Sequence, residues 1–286
     1  MGALQASNMN MNMNMNMNMN MGAGLGLPSV APAQVRFNTA DYRKLIPSPP
    51  PVLAVNPIPA FPADWDPELR SYIYLNEFVL GTPNWQALLS APAVVGPLPT
   101  APALRETQLA AVLDGAPDRE DRFAEIIHQH DAEGAISYFL GMLMIDPARH
   151  PKTYLLIRVA RRVGELVTMV LKGHFLVPRP SQLCPAVVPM IDPPVTPAFP
   201  AGHALQARLI ARCLEQAWAR VPTRQSRIDL LIYLARRIGE NRVIAGVHYP
   251  RDIAAGESVA LACYGRLDRP GTRFRQLVNA ARQESF

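Results

Sequence analysis

The sequence predicts an all-α protein: a helical bundle with an extended, proline-rich N-terminal arm. Three observations carry this. Helical period recurs from Leu104 almost to the C-terminus, and no segment alternates with period two over more than a few residues. Hydrophobic residues make up 49% of the 286-residue chain against 18% charged, enough to bury a sizeable core. Finally, fifteen of the 29 prolines fall between Pro28 and Pro102, which keeps that stretch from running as regular helix or central strand.

Taken in order, residues 1–27 read as a disordered low-complexity tail. Residues 8–21 are strictly alternating Asn-Met, which holds seven of the 12 methionines. Residues 28–103 read as the extended arm, with a short helical turn at Pro67–Glu77 and Trp65, Tyr72, Tyr74, Phe78 and Trp85 as anchors onto the body. Residues 104–286 read as the catalytic body of about six helices: Leu104–Asp114, Arg119–Ile145, Pro151–Phe175, Gly202–Arg220, Pro222–Ile244 and Pro250–Leu267. Asp118 and Pro250 mark helix starts. Between Val177 and Pro200 lies a long loop with eight prolines, of the kind that usually carries function.

Several classes fall away. No uncharged apolar stretch approaches the roughly 20 residues of a bilayer span, so no transmembrane segment is expected. Cys184, Cys213 and Cys263 are odd in number and far apart, which excludes a disulfide framework and a C-x-x-C metal pair. A net charge of +5 is too small and scattered to indicate nucleic acid. The first basic residue is Arg36, so a secretory leader is not expected and a cytoplasmic setting is. A homodimer exchanging its arms remains open.

Three blocks carry the chemistry. Lys172-x6-Arg179-Pro180 precedes the long loop, Pro200-Ala201-Gly202-His203 ends it, and Asn241-Arg242-x5-His248-x3-Asp252 follows. Lys172, Arg179 and Arg242 are three cations on apolar segments. If they converge, they call for a multivalent oxyanion such as phosphate. Gly202 and His203 open a helix, whose unpaired N–H groups and positive dipole end favour an anion. His203 would stand at the edge of that anion, where a general acid belongs. His248 and Asp252, four apart, share a helix face, so the carboxylate can fix the imidazole tautomer and leave the second ring nitrogen nucleophilic.

These blocks, in this order, resemble the signature of the type 2 phosphatidic acid phosphatase superfamily, which includes bacterial acid phosphatases and vanadium-dependent haloperoxidases. The intervals agree: 19 residues separate Pro180 from Pro200, and 37 separate His203 from Asn241. The resemblance covers Lys172 to Asp252 and extends plausibly to the helices from Leu104. It implies a helical bundle of the acid phosphatase/vanadium haloperoxidase type, acting on a small-molecule phosphate ester without a metal. Lys172, Arg179, Arg242 and the Gly202 N–H would hold the phosphoryl oxygens. His248 would become phosphorylated, Asp252 would orient it, and His203 would protonate the leaving group. The alternative it implies is a haloperoxidase: vanadate on His248 in the same pocket, with hydrogen peroxide and halide as substrates. A third possibility is a scaffold with a degraded site. Ala201 and Asn241 stand where the family usually has serine. Losing a hydroxyl at Ala201 would cost on the order of 1–3 kcal/mol of anion binding, whereas Asn241 still has an N–H to give.

Overall fold

A computed structural model describes residues 65–97, 104–218 and 225–284. The Asn-Met tail and the arm up to Asp64 lie outside the described residues. Among the described residues there is no strand, in agreement with the all-α expectation. The helices are α1 (Pro67–Gly81), α2 (Trp85–Ser90), α3 (Pro92–Val95), α4 (Leu109–Asp114), α5 (Arg119–His128), α6 (Ala132–Leu143), α7 (Pro151–Phe175), α8 (Pro180–Leu183), α9 (Gly202–Trp218), α10 (Gln225–Ile244), α11 (Pro250–Leu267) and α12 (Arg273–Ala281).

The centre of the bundle is α9, which packs against α7, α10 and α11. Its buried face (Leu205, Leu209, Ile210, Cys213, Leu214, Trp218) recurs at three- and four-residue steps. Close approach of α11 depends on Gly256: a Cβ there would stand 2.8 Å from the Ala201 carbonyl oxygen, just before α9 begins. The α7 helix starts with Pro151 at its first position and ends at Leu176, whose left-handed backbone (φ 52°) lets its N–H bond back to the Lys172 carbonyl at 3.1 Å.

Three elements depart from the sequence reading. The arm is helical from Pro67 to Val95, and Phe78, Trp85, Leu89 and Val95 are core residues. Pro67 and Pro92 occupy helix starts, where the missing N–H costs nothing, so these prolines open helices rather than prevent them. The α1 helix is also tied to α7 by charge. Glu68 sits 2.9 Å from Arg158 and 2.9 Å from Arg162, and Glu133 of α6 sits 2.6 Å from Arg158. These arginines therefore join helices.

The expected Arg119–Ile145 helix is two, α5 and α6. It breaks at Asp131, whose carboxylate caps α6 by accepting the Gly134 N–H at 2.6 Å. The third departure is α12, absent from the reading, which buries Phe274, Leu277, Val278 and Ala281.

The loop after α7 is ordered by side chains that reach into it. Arg119 at the start of α5 donates to the carbonyls of Val187, Val188 and Ile244, each at 2.9 Å. It thereby staples the loop to the end of α10.

Candidate active site

Each block of the motif is delivered by a different helix end. Lys172 lies in the last turn of α7, Arg179 just before α8, Gly202 and His203 in the first turn of α9, Arg242 in the last turn of α10, and His248 and Asp252 at the start of α11. Lys172, Arg179, Arg242, His248 and Asp252 are all buried.

His248 and Asp252 meet as the four-residue spacing predicts, with Nδ1 3.1 Å from Oδ2. The same Oδ2 accepts the Tyr249 N–H at 3.0 Å, so Asp252 caps α11 and orients the imidazole with one oxygen. The other side of the ring faces Arg179, whose Nη1 lies 3.1 Å from Nε2. With the Nδ1 proton donated to Asp252, Nε2 carries the lone pair and accepts from Arg179. Burial, then the charge of Arg179 and the other basic groups around it, hold His248 well below the usual histidine range. It is neutral, as a nucleophile must be.

The cations are held by the loop. Lys172 Nζ donates to the carbonyls of Pro197 and Ala198. Arg179 donates to the Thr196 carbonyl at 2.9 Å, to its hydroxyl at 3.2 Å, and to the Val247 carbonyl at 2.8 Å. Arg242 donates to the Ile126 carbonyl at 3.1 Å, while its buried Nε has no partner. Burial lowers Arg179 and Arg242 to about 10.

Lys172 is not the permanent cation that the sequence suggests. Burial, with Arg179 adding to it and Asp252 opposing, pushes it down to about 7. Asp252 is the one carboxylate whose charge acts on Lys172 and Arg179 among the described residues, and burial raises it to about 6. Positive charge therefore exceeds negative at this cluster, an arrangement that can hold an anion.

His203 is half-buried beside Ala132, Ala135, Ile136 and Phe139 of α6, and its buried Nε2 has no partner. Burial and then Arg242 push it down to about 3, and its charge is felt at His248. Gly202 packs against Thr168 of α7: a Cβ at Gly202 would meet Thr168 Cγ2 at 3.0 Å.

Ala201 is fully buried in an apolar cluster with Ala204 and Ile253. Asn241 gives nothing to this site. Its Nδ2 donates to Glu125 at 3.0 Å and Gln129 at 2.9 Å, and its Oδ1 accepts from Arg122 at 3.2 Å, so it ties α10 to α5. His174 is exposed, stacked edge-on to Phe175, and Glu165 pairs with Arg162 at 3.0 Å; neither reaches the motif residues. The loop groups Thr196, Pro197 and Ala198, which engage both cations, carry no mark in the sequence beyond their place in a long loop.

On the outer side of Arg179 the loop walls a cavity of about 510 Å³, lined by Leu176, Val177, Pro178, Pro194, Val195 and Thr196 among others.

Comparison with known proteins agrees with the resemblance. Residues 153–267 match the family model of the PAP2 superfamily. No curated protein matches the chain. Among solved structures, the chain is similar to the first transmembrane PAP2 type phosphatidylglycerolphosphate phosphatase from Bacillus subtilis. Sequence identity is 20% and the TM-score 0.30, over 73% of this chain and 98% of that one. That protein is described as transmembrane, and on this finding the cytoplasmic expectation is withdrawn. Among the described residues, no helix is long and apolar enough to cross a membrane. The matched segment contains Lys172, Arg179, Gly202, His203, Arg242, His248 and Asp252, and it supports the resemblance to the type 2 phosphatidic acid phosphatase superfamily.

Proposed function

We propose that this protein is a phosphatase that hydrolyses a phosphate monoester through a phosphohistidine at His248. The superfamily match supports a phosphatase-type function. The observation that carries the finer reading is the His248 geometry: Nδ1 held by Asp252 at 3.1 Å, and Nε2 turned toward Arg179 at 3.1 Å.

In the first step, Arg179 leaves Nε2 for the phosphoryl oxygens, where its planar fork is matched to two of them. The Nε2 lone pair attacks phosphorus, the bond to the ester oxygen breaks, and His203 gives that oxygen a proton. Burial first, and Arg242 second, hold His203 down to about 3; a bound dianion opposes both, because its negative charge favours the imidazolium and offsets Arg242, and so moves His203 toward a protonated state. In the second step, neutral His203 takes a proton from water, hydroxide adds to phosphorus, the P–N bond breaks, and inorganic phosphate departs. Lys172, Arg242 and the Gly202 N–H hold the oxygens whose charge grows in each transition state. No cofactor is part of this proposal. The oxyanion donors suit vanadate as well as phosphate, but no observation favours peroxide chemistry over hydrolysis.

The test is release of p-nitrophenol from p-nitrophenyl phosphate, with orthovanadate as competitor. His248→Ala is expected to abolish turnover. His203→Ala is expected to slow alkyl phosphates far more than the nitrophenyl ester, whose leaving group needs little protonation. Equal, mild losses for both variants would refute the mechanism. Orthovanadate that switches on bromide oxidation by peroxide, rather than inhibiting hydrolysis, would refute the phosphatase reading.

A further inference from the structure

Thr168 is a buried hydroxyl without a use in the fold. Its residue is 4% exposed, and its Oγ1 has no hydrogen-bond partner. A threonine inside a helix commonly bonds back to the carbonyl four residues earlier; Thr168 does not.

Its position is specific. It sits one turn before Lys172 on α7, hence on the same face as that cation. Its side chain lies on the first residue of α9: from the place a Gly202 Cβ would take, Cγ2 is 3.0 Å away and Oγ1 3.7 Å. A helix end of this kind offers unpaired N–H groups and a positive dipole to an anion. The hydroxyls of Thr153 and Thr82 also lack partners among the described residues. Thr153, however, begins α7 at the opposite end from Lys172, and Thr82 follows α1. Neither adjoins a motif residue.

The neighbouring Ala201 makes the placement meaningful. Its side chain offers no donor and packs with Ala204 and Ile253, so the turn before α9 contributes no side-chain hydroxyl to a ligand. A hydroxyl arriving from α7, against Gly202, reaches the same helix end from the opposite wall.

We propose that the Thr168 hydroxyl donates a hydrogen bond to the bound phosphoryl group, supplying from α7 the donor that Ala201 lacks. The inference rests on the phosphatase reading and adds a binding residue to it. A buried, unpartnered hydroxyl is costly to keep and cheap to replace by a methyl group of the same shape. A ligand that accepts its proton reverses the balance.

Thr168→Val removes the hydroxyl with little change of shape, and Thr168→Ser restores it. The affinity of the full chain for inorganic phosphate, and inhibition by orthovanadate, are measured with thermal unfolding of each variant alongside. Thr168→Val is expected to weaken phosphate about ten- to hundredfold, the range for a hydrogen bond to a charged group, with a Tm equal to or above that of the parent. Thr168→Ser is expected to bind within about threefold of the parent, since the donor is kept. If Thr168→Val does not fold, Thr168→Ala carries the same comparison. Parent-like phosphate affinity in Thr168→Val, or affinity lost in step with Tm in both variants, overturns the proposal and leaves the phosphatase reading standing. A parent protein that binds neither phosphate nor orthovanadate overturns both.

Discussion

If the proposed site is right, Lys172 should make oxyanion binding titrate in a range where an ordinary lysine would not. The buried ammonium loses its proton near pH 7, and a dianion gains from it only while it is charged. The protonated fraction falls to about a tenth at pH 8 and about a hundredth at pH 9, so affinity should fall about tenfold per pH unit above 7. Sulfate is the right probe, because it stays dianionic across this range and reports the protein alone. Calorimetry at pH 6, 7, 8 and 9 gives the dissociation constants. Repeating pH 8 in two buffers of different ionisation enthalpy gives the proton count, expected near one taken up per sulfate bound. Lys172→Arg, which keeps its charge throughout, should bind with a flat profile. Lys172→Met should be flat and weak, and it sets the floor to which the parent descends. The same shift acts on folding with a definite sign. Between about pH 7 and the unfolded lysine value of 10.5, the unfolded chain holds a proton that the native chain has lost, so this group adds stability as pH rises through that window. A parent affinity that is level from pH 6 to 9, or a Lys172→Arg profile as steep as the parent's, would refute the reasoning.

Other perturbations separate roles that adjoin in space. Asp252→Asn should cost only about tenfold in kcat, because an amide oxygen can still accept from both Tyr249 N–H and His248 Nδ1–H and only the charge is lost; Asp252→Ala should cost far more, and equal losses in the nitrophenyl phosphate assay would count against the orienting role. Asn241→Ala should destabilise the protein by about 2 kcal/mol in urea unfolding, since the buried Gln129 Oε1 loses its donor while Glu125 keeps Arg237, and phosphate affinity of the folded fraction stays unchanged. Glu68→Gln should lower stability by about 1 kcal/mol, because α1 loses its ion pairs to α7 while Arg158 keeps Glu133 and Arg162 keeps Glu165, and proteolysis should then release α1 before the rest of the bundle.

The site was more legible than its tuning. The three motif blocks named the helix ends that meet, because spacing on a helix fixes which side chains share a face: His248 and Asp252 pair as their interval requires. Direction and environment were not legible. Asn241 has a donor, but only the packing of α10 on α5 shows that the donor serves Glu125 and Gln129. Lys172 carries no local mark of its depressed affinity for a proton, since burial is a property of the assembled bundle. In the N-terminal region, proline count obscured proline position. Pro67 follows the capping residue Asp66, a start signal that composition averages away. The boundary between α5 and α6 was readable in principle, because Asp131 with Gly134 is a capping arrangement that interrupts a continuous apolar period.

The contact of Gly256 against the Ala201 carbonyl places the turn that opens α9 between the central helices of the bundle. The amides at the start of α9 should therefore exchange with deuterium only when the whole bundle opens, on the timescale of global unfolding. Val195, fully exposed in the loop, should exchange far sooner. The turn before α9 and the outer loop would then keep different clocks, and the second could be altered without loosening the first.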